Sequence, residues 1–301
     1  HYRAMGPFVQ LHKQRKIHLE NMRTVDYHTI RMFDVVVLQR PCDSTHLAMA
    51  KMVKDWGIPL IIDFDDLVDQ VPTTNPTHFK YLKWRDYSTA SLKLADKIMV
   101  STQMIADEWE KKYAWSRGKF VVIPNALDDV FLRENWMPKF LRKRRDTVTW
   151  RGSATHEMDL LMESHRLHKI FNENPGTEFM FIGGASPIIA SFELKNITFA
   201  DFMDIGSYMI HINQCAPKAH IVPLMRNNFN LAKSNIAWIE ATWAGARVLV
   251  SEDFPEFSKP GMGTLANFES GDRDLSWEYI KDTLLLSKVN PLRMEVIESL
   301  I

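Results

Sequence analysis

Three clusters in this 301-residue sequence bring chemically useful side chains close together. The first is Trp150-Arg151-Gly152-Ser153, with His156 just beyond it and a helical stretch from Glu157. A glycine there lets backbone approach a ligand closely, and a helix N-terminus offers free N–H groups to an anion. Ser153 and Thr155 also suit plain helix capping, which taken alone is the better reading. The second cluster is Asn227 to Glu240 (NNFNLAKSNIAWIE). Asn230, Lys233 and Ser234 are expected at the start of a helix running to Ala244. A lysine in a first helical turn opposes the helix dipole, which makes sense where the ammonium faces a phosphate. Glu240 follows two turns later, and Ser234, Ala237 and Ala241 leave room for a close approach. An exposed helix carboxylate is the plain alternative for Glu240. The third cluster is Asp63-Phe64-Asp65-Asp66, at the end of an apolar run. Three carboxylates in four residues repel one another unless cations, N–H groups or hydroxyls balance them. A divalent metal bridging a nucleotide diphosphate is one solution. Contact with substrate hydroxyls, or a strand end joined to a helix cap, ranks above it, because the phosphate-handling features lie in the other half of the chain.

Parallel strands are what would position these clusters. Continuous Val/Ile-rich runs lie at Asp34–Arg40, Ile58–Asp63, Lys97–Thr102 and Phe120–Asn125, and again at Thr147–Ser153, Glu178–Gly183, Ala219–Leu224 and Ala246–Ser251. Such runs suit strands buried on both faces. Helical spacing is clearest over Ser44–Trp56, Gln103–Tyr113, Glu157–Phe171 and Ala232–Ala244. Alternating strands and helices imply parallel sheets with right-handed crossovers. The alternation stops after Asp128, in a stretch that ends in the basic run Leu141-Arg142-Lys143-Arg144-Arg145. The expected fold class is α/β, with two Rossmann-like domains facing each other across a cleft. The first covers 1–130, with its own first strand missing, and 131–145 is a linker. The second covers 146–275, and 276–301 is a helical segment. Ligands bind beyond the carboxyl ends of strands in such sheets, where all three clusters fall.

Composition narrows the function. Lys plus Arg and Asp plus Glu are 37 each, so the net charge is +0, which argues against a polycation that wraps nucleic acid. The basic run reads first as a solvated face. Two cysteines make neither a disulfide framework nor a four-thiolate zinc site. No apolar run reaches membrane-spanning length, and a soluble, cytoplasmic protein is expected. The chain has no GxGxxG, P-loop, HExxH or GxSxG, and its other histidines lack ligand spacing.

The clusters, in order, resemble the GT-B glycosyltransferases, specifically the family-four-like retaining group. Tyr2-Arg3 with Pro7, Ile62 to Asp66 with Pro72 and Asn75-Pro76, Ala95-Asp96 to Ser101-Thr102, Pro124-Asn125 to Asp128, Gly152 to His156 with Asp159, and Lys233-Ser234 with Glu240 and Gly245 match its segments in sequence. The resemblance implies that Arg151, Gly152, Ser153, His156 and Asn230 contact the donor. It also implies that Lys233 and Ser234 bind its phosphates, with Lys233 stabilising the leaving group, and that Glu240 binds the ribose hydroxyls. Asp65 and Asp66 would face the cleft as catalytic groups on the acceptor side, with Tyr2, Arg3, Asp63 and Asn125 near them. The implied co-substrate is a UDP- or GDP-sugar, with no metal and no other cofactor. Ala232 stands where members often carry a carboxylate, and Arg247 replaces a common proline. The Trp-Arg-Gly-Ser form, the 12 glycines and the compact length resemble bacteriophage enzymes. Some of those modify hydroxymethylated pyrimidines in DNA, and Lys139, Arg142, Lys143, Arg144 and Arg145 would then track the backbone; a glycan or small-molecule acceptor ranks first. Rival readings are a nucleotide-sugar 2-epimerase, an inactive nucleotide-sugar-binding protein, and a metal-dependent transferase using Asp63 and Asp65.

Overall fold

The two runs of apolar strands form two separate parallel sheets. The computed structural model describes residues 1–21, 27–129, 145–184, 187–192 and 196–301. The expected linker therefore lies, apart from Arg145, outside the described residues, and so do Lys139, Arg142, Lys143 and Arg144. The first sheet orders β1 (Val36–Gln39), β2 (Leu60–Phe64), β3 (Lys97–Val100) and β4 (Phe120–Val122) side by side, all parallel. Leu60, Ile61 and Ile62 are fully buried, as an apolar run covered on both faces must be. The longer helices here are α1 (Met5–Lys13), α2 (Ser44–Asp55), α3 (His78–Leu94) and α4 (Gln103–Lys112). Asp43 and Thr102 cap α2 and α4 by accepting from the N–H groups of His46 and Ile105.

The second sheet has six strands: β5 (Arg145–Arg151), β6 (Glu178–Ile182), β7 (Ile197–Ala200), β8 (Pro217–Val222), β9 (Arg247–Val250) and β10 (Gly263–Thr264). Their order is β10-β9-β8-β5-β6-β7. The chain winds outward from β5 to β7, then returns to place β8 on the other side of β5. That reversal is a topological switch point, and the carboxyl ends of β5 and β8 open a crevice there. The edge strand β7, half exposed, and the two-residue β10 were not among the expected strands.

Two expected helices are corrected. The stretch Glu157–Phe171 is two helices, α5 (Glu157–Met162) and α6 (Ser164–Glu173), and the turn at Glu163 is held by Ser251 (2.9 Å) and Arg166 (3.2 Å). The stretch from Ala232 does not begin a helix. Asn227 caps a separate turn, Asn228–Leu231, and the next helix starts only at Ile236. After α7 (Ile205–Cys215) and α8 (Ile236–Ala244), α9 (Arg273–Thr283) packs on α8, with Trp238 Nε1 donating to Ser276 Oγ at 3.1 Å. The last helix, α10 (Leu286–Glu298), crosses back to the first sheet. Its Val289, Val296 and Ile297 share an apolar cluster with Phe8, Leu11 and Ile61, and Leu127 is bonded to both Leu284 and Leu286. This helix thus covers the first unit.

Candidate functional site

A cleft of about 390 Å³ lies between the strand ends of the two sheets. Tyr2, Arg3, Asp65, Asp66 and Asn125 line it from one side. Arg151, Gly152, Ser153, His156, Lys233 and Ser234 line it from the other. Asp63, Asn230 and Glu240, also expected at the site, stand behind its walls.

On the first side the three carboxylates are paired with two arginines. Asp63 is buried against Arg3, with Nε to Oδ1 at 3.0 Å and Nη2 to Oδ2 at 2.5 Å, and Arg3 also donates to the carbonyl of Ile123. Burial pushes the Asp63 carboxyl up while Arg3 pulls it down. Asp63 is thus part of the core. Asp65 and Asp66 share Arg40, which pairs with Asp65 and reaches Asp66 Oδ2 at 2.5 Å. Arg40 follows β1 directly and holds φ 46°, a left-handed conformation that turns its side chain toward both acids. Sequence reading missed it, because nothing in the local pattern around Arg40 points to partners 25 residues away. Burial and then Asp65 push the Asp66 carboxyl up, against the pull of Arg40, Lys233 and His156.

On the second side, Lys233 sits in the loop between the turn at Asn228–Leu231 and α8, not in a first helical turn as expected. No dipole argument applies to it there. Among the described residues its ammonium has one hydrogen-bond partner, His156 Nε2 at 3.4 Å, and the Phe229 ring lies 5.3 Å beneath. Desolvation by the cleft walls lowers its pKa, and Asp66 and Asp159 act against that. His156 turns its other nitrogen to Asp159 at 2.8 Å, and Asn230 Nδ2 donates to the same carboxylate at 2.7 Å. Asn230 thus supports the site from behind. Asp159 belonged to the motif but had no role assigned from sequence; its spacing i, i+3 from His156 carried the signal. Ser234 Oγ accepts from Asn125 Nδ2 at 2.7 Å, which joins the two sides.

Two expectations acquire different physical reasons. Ser153 accepts from Thr155 N–H at 3.4 Å and caps the turn Ala154–His156, so the capping reading describes its own contacts. Gly152 is constrained by its neighbours, since a Cβ there would lie 2.3 Å from the Trp150 ring. Gly183, at φ 116°, brings its Cα so close that a Cβ would strike the Gly152 carbonyl at 1.8 Å. Ala232 is fully buried in the apolar cluster of the first unit, with its carbonyl accepting from Thr102 Oγ1 at 2.9 Å. A carboxylate would have no room there.

Glu240 is fully buried, and its carboxylate is shared by Tyr2 Oη at 2.6 Å and Arg151 Nη1 at 2.5 Å. The Arg151 guanidinium lies 4.5 Å over the Tyr208 ring. Tyr2 thus reaches from the first unit into the second. His220, also on the cleft wall, is a core histidine: burial pushes it down to about 3, and Nδ1 faces Thr149 Oγ1 at 2.9 Å. Among the described residues, Cys42, Asp43 and His46 bring metal-ligand atoms within 4.8 Å of one another, away from the cleft. Asp43 is already engaged as a helix cap there. No described helix is long and apolar enough to cross a membrane.

No family model and no curated protein matches the sequence. Solved structures do. A glycosyltransferase from Rickettsia africae superposes with a TM-score of 0.62 at 13% identity, covering 97% of this chain and 87% of that one. The pneumococcal O-GlcNAc transferase GtfA, in complex with UDP and GlcNAc, gives 0.57 at 12% identity over 83% of this chain and 54% of that one. This chain therefore spans about half the length of the pneumococcal protein. An alpha-glucosyltransferase in complex with UDP-glucose and DNA containing an abasic site gives 0.53 at 12% identity, over 90% and 77%. At such identities the likeness shows the fold: two Rossmann-like units facing across a cleft, the GT-B arrangement.

Proposed function

We propose that this chain is a glycosyltransferase that moves a sugar from a UDP-sugar to an acceptor hydroxyl, without a metal and with retention at the anomeric carbon. The observation that carries the reading is Lys233, an ammonium turned into the cleft at the switch point with a neutral imidazole as its hydrogen-bond partner. A cation so placed supports an anionic ligand. The departing nucleoside diphosphate gains charge as the glycosidic bond breaks. Lys233, Ser234 and the backbone near Ser153 would hold that charge, and preorganised groups of this kind stabilise the transition state more than the ground state. The arginine partners of Asp63, Asp65 and Asp66 support metal independence, since each of these carboxylates already has a guanidinium partner. Asp65 and Asp66 face the acceptor side. Glu240 would take the ribose hydroxyls by exchanging its bond to Tyr2.

The test is incubation with UDP-glucose, UDP-GlcNAc and GDP-mannose, with donor hydrolysis and nucleotide affinity measured with and without EDTA. Turnover or micromolar binding that survives EDTA is expected. No binding of any of these donors overturns the reading. A second reading, with modified DNA as acceptor, is favoured by the likeness to the DNA-bound alpha-glucosyltransferase. Transfer to duplex DNA carrying 5-hydroxymethylpyrimidines, lost steeply as salt rises, is its expected mark.

A further inference from the structure

His156 stands between a fixed acid and a cation. Asp159 Oδ1 accepts from the Met225 N–H at 2.9 Å and from Asn230 Nδ2 at 2.7 Å, and its Oδ2 faces His156 Nδ1 at 2.8 Å. A carboxylate held as an acceptor on all sides fixes the tautomer: Nδ1 carries the proton, and Nε2 presents a lone pair. That lone pair faces Lys233 Nζ at 3.4 Å. Across the cleft the nearest charge is Asp66, backed by Asp65 and by Arg40, which bonds both acids. The Trp150 ring packs edge-on at 6.5 Å and adds no charge. Burial in the cleft wall and then the ammonium oppose a second cation and push the imidazole pKa down, outweighing the pull of Asp159 and Asp66, so the ring stays neutral while no anion is bound.

We propose that His156 becomes a phosphate ligand by acquiring a proton: as a diphosphate settles against Lys233, Nε2 takes one proton from solvent and donates it in a hydrogen bond to a phosphate oxygen. This rests on the reading of the cleft as a diphosphate site. The incoming charge reverses the sign of the local field, and Asp159 on the far side of the ring stabilises the imidazolium. A lysine at this position would be charged at all times and would repel Lys233. A histidine backed by an acid instead accepts from Lys233 in one state and donates to the ligand in the other. The proton then sits where the leaving diphosphate gains charge. Binding is therefore favoured as pH falls. The association constant is full below the pKa of the free imidazole, drops by up to about tenfold per pH unit above it, and levels off beyond the pKa in the complex.

Titration calorimetry with UDP-glucose and GDP-mannose tests this, in two buffers of different ionisation enthalpy, from pH 5.5 to 8.5. These diphosphate diesters have no proton of their own to exchange near neutrality, so any uptake belongs to the protein. Net uptake rising toward one proton per binding event is expected near pH 6 to 7. In His156→Gln, whose amide still reaches Lys233, binding is weaker, flat in pH and without uptake. Binding by the unaltered protein without uptake overturns the inference and leaves the donor site standing. Equal uptake in His156→Gln assigns the proton to another cleft group, Lys233 or Asp66, and overturns it too. Absence of binding by either nucleotide sugar removes the diphosphate reading and this inference with it.

Discussion

The two sides of the cleft handle charge in opposite ways. On the first, each acid at the strand end has a guanidinium within bonding distance: Arg3 for Asp63, and Arg40 for Asp65 and Asp66. On the second, Arg151 is matched by the buried Glu240, but Lys233 has a neutral ring for a partner, and its pKa is lowered by desolvation. Matched charges hold a protein together, while an ammonium left without a carboxylate is a place for something else. The two sides should therefore answer mutation differently. The first should lose stability, and the second should lose function.

The largest effect belongs to Asp63. Asp63→Ala leaves Arg3 buried without its acid, and Arg293, close enough to feel both charges, buried beside it. Breaking a buried pair on one side costs about 3–5 kcal/mol. Urea unfolding should show that loss, with a midpoint shift large enough to threaten the fold at 37 °C. A variant as stable as the parent would end the distinction between the two sides.

Lys233→Ala is its counterpart. Loss of one preorganised donor to a developing anion typically costs about 2.7–4 kcal/mol of barrier, or roughly 100- to 1000-fold in turnover. Melting should stay the same or rise, because the ammonium gives up solvation with Asp66 and Asp159 only near it and no carboxylate bonded to it. Donor hydrolysis measured alongside thermal melting checks both halves. A drop in melting temperature with activity kept would place Lys233 among the structural charges.

Much of this was legible in the sequence, and the limits have physical causes. Eight of the strands announce themselves as apolar runs, the inner ones because both their faces are buried and the edge strands β1 and β4 while only half buried; β7 and β10 are an exposed edge and a two-residue strand, too slight to leave a run. The Ala232–Ala244 spacing is helical in composition, but whether a helix begins at Ala232 or Ile236 is decided by Asn227 closing its own turn and by Ala232 being drawn into the apolar cluster of the other unit. Asp63 and Asp65 look alike in sequence. Arg3, 60 residues away, makes one of them core, and Arg40 keeps the other at the cleft. Glu240 was placed on the right helix, but its burial under Tyr2 depends on a contact spanning 238 residues.

A third variant separates pH effects on folding from those on the site. His220 is buried and neutral, with a pKa near 3 against about 6.5 when unfolded. Between those values the unfolded chain binds a proton that the folded chain does not, so stability falls as pH drops through that window. From pH 7 to pH 5 the loss is about 2 kcal/mol. His220→Gln should unfold in urea with a smaller difference between the two pH values. An unchanged difference would mean that the acid sensitivity arises elsewhere, and the pH profile of ligand binding would then need a folding control.

The smallest effect should come from Tyr2, the residue that bridges the two sides. Tyr2→Phe removes one hydrogen bond to the Glu240 carboxylate and leaves Arg151 in place, which costs about 1 kcal/mol. The direction of its effect on nucleotide binding is more informative than its size. If Glu240 receives ribose hydroxyls, the nucleotide has to displace Tyr2, and the variant should bind UDP roughly fivefold more tightly because that bond no longer competes. If Glu240 serves only to hold Arg151 and Tyr2 together, Tyr2→Phe lowers the melting temperature and leaves UDP affinity unchanged. Calorimetry with UDP on the two proteins distinguishes these outcomes, and tighter binding by the phenylalanine variant is the expected one.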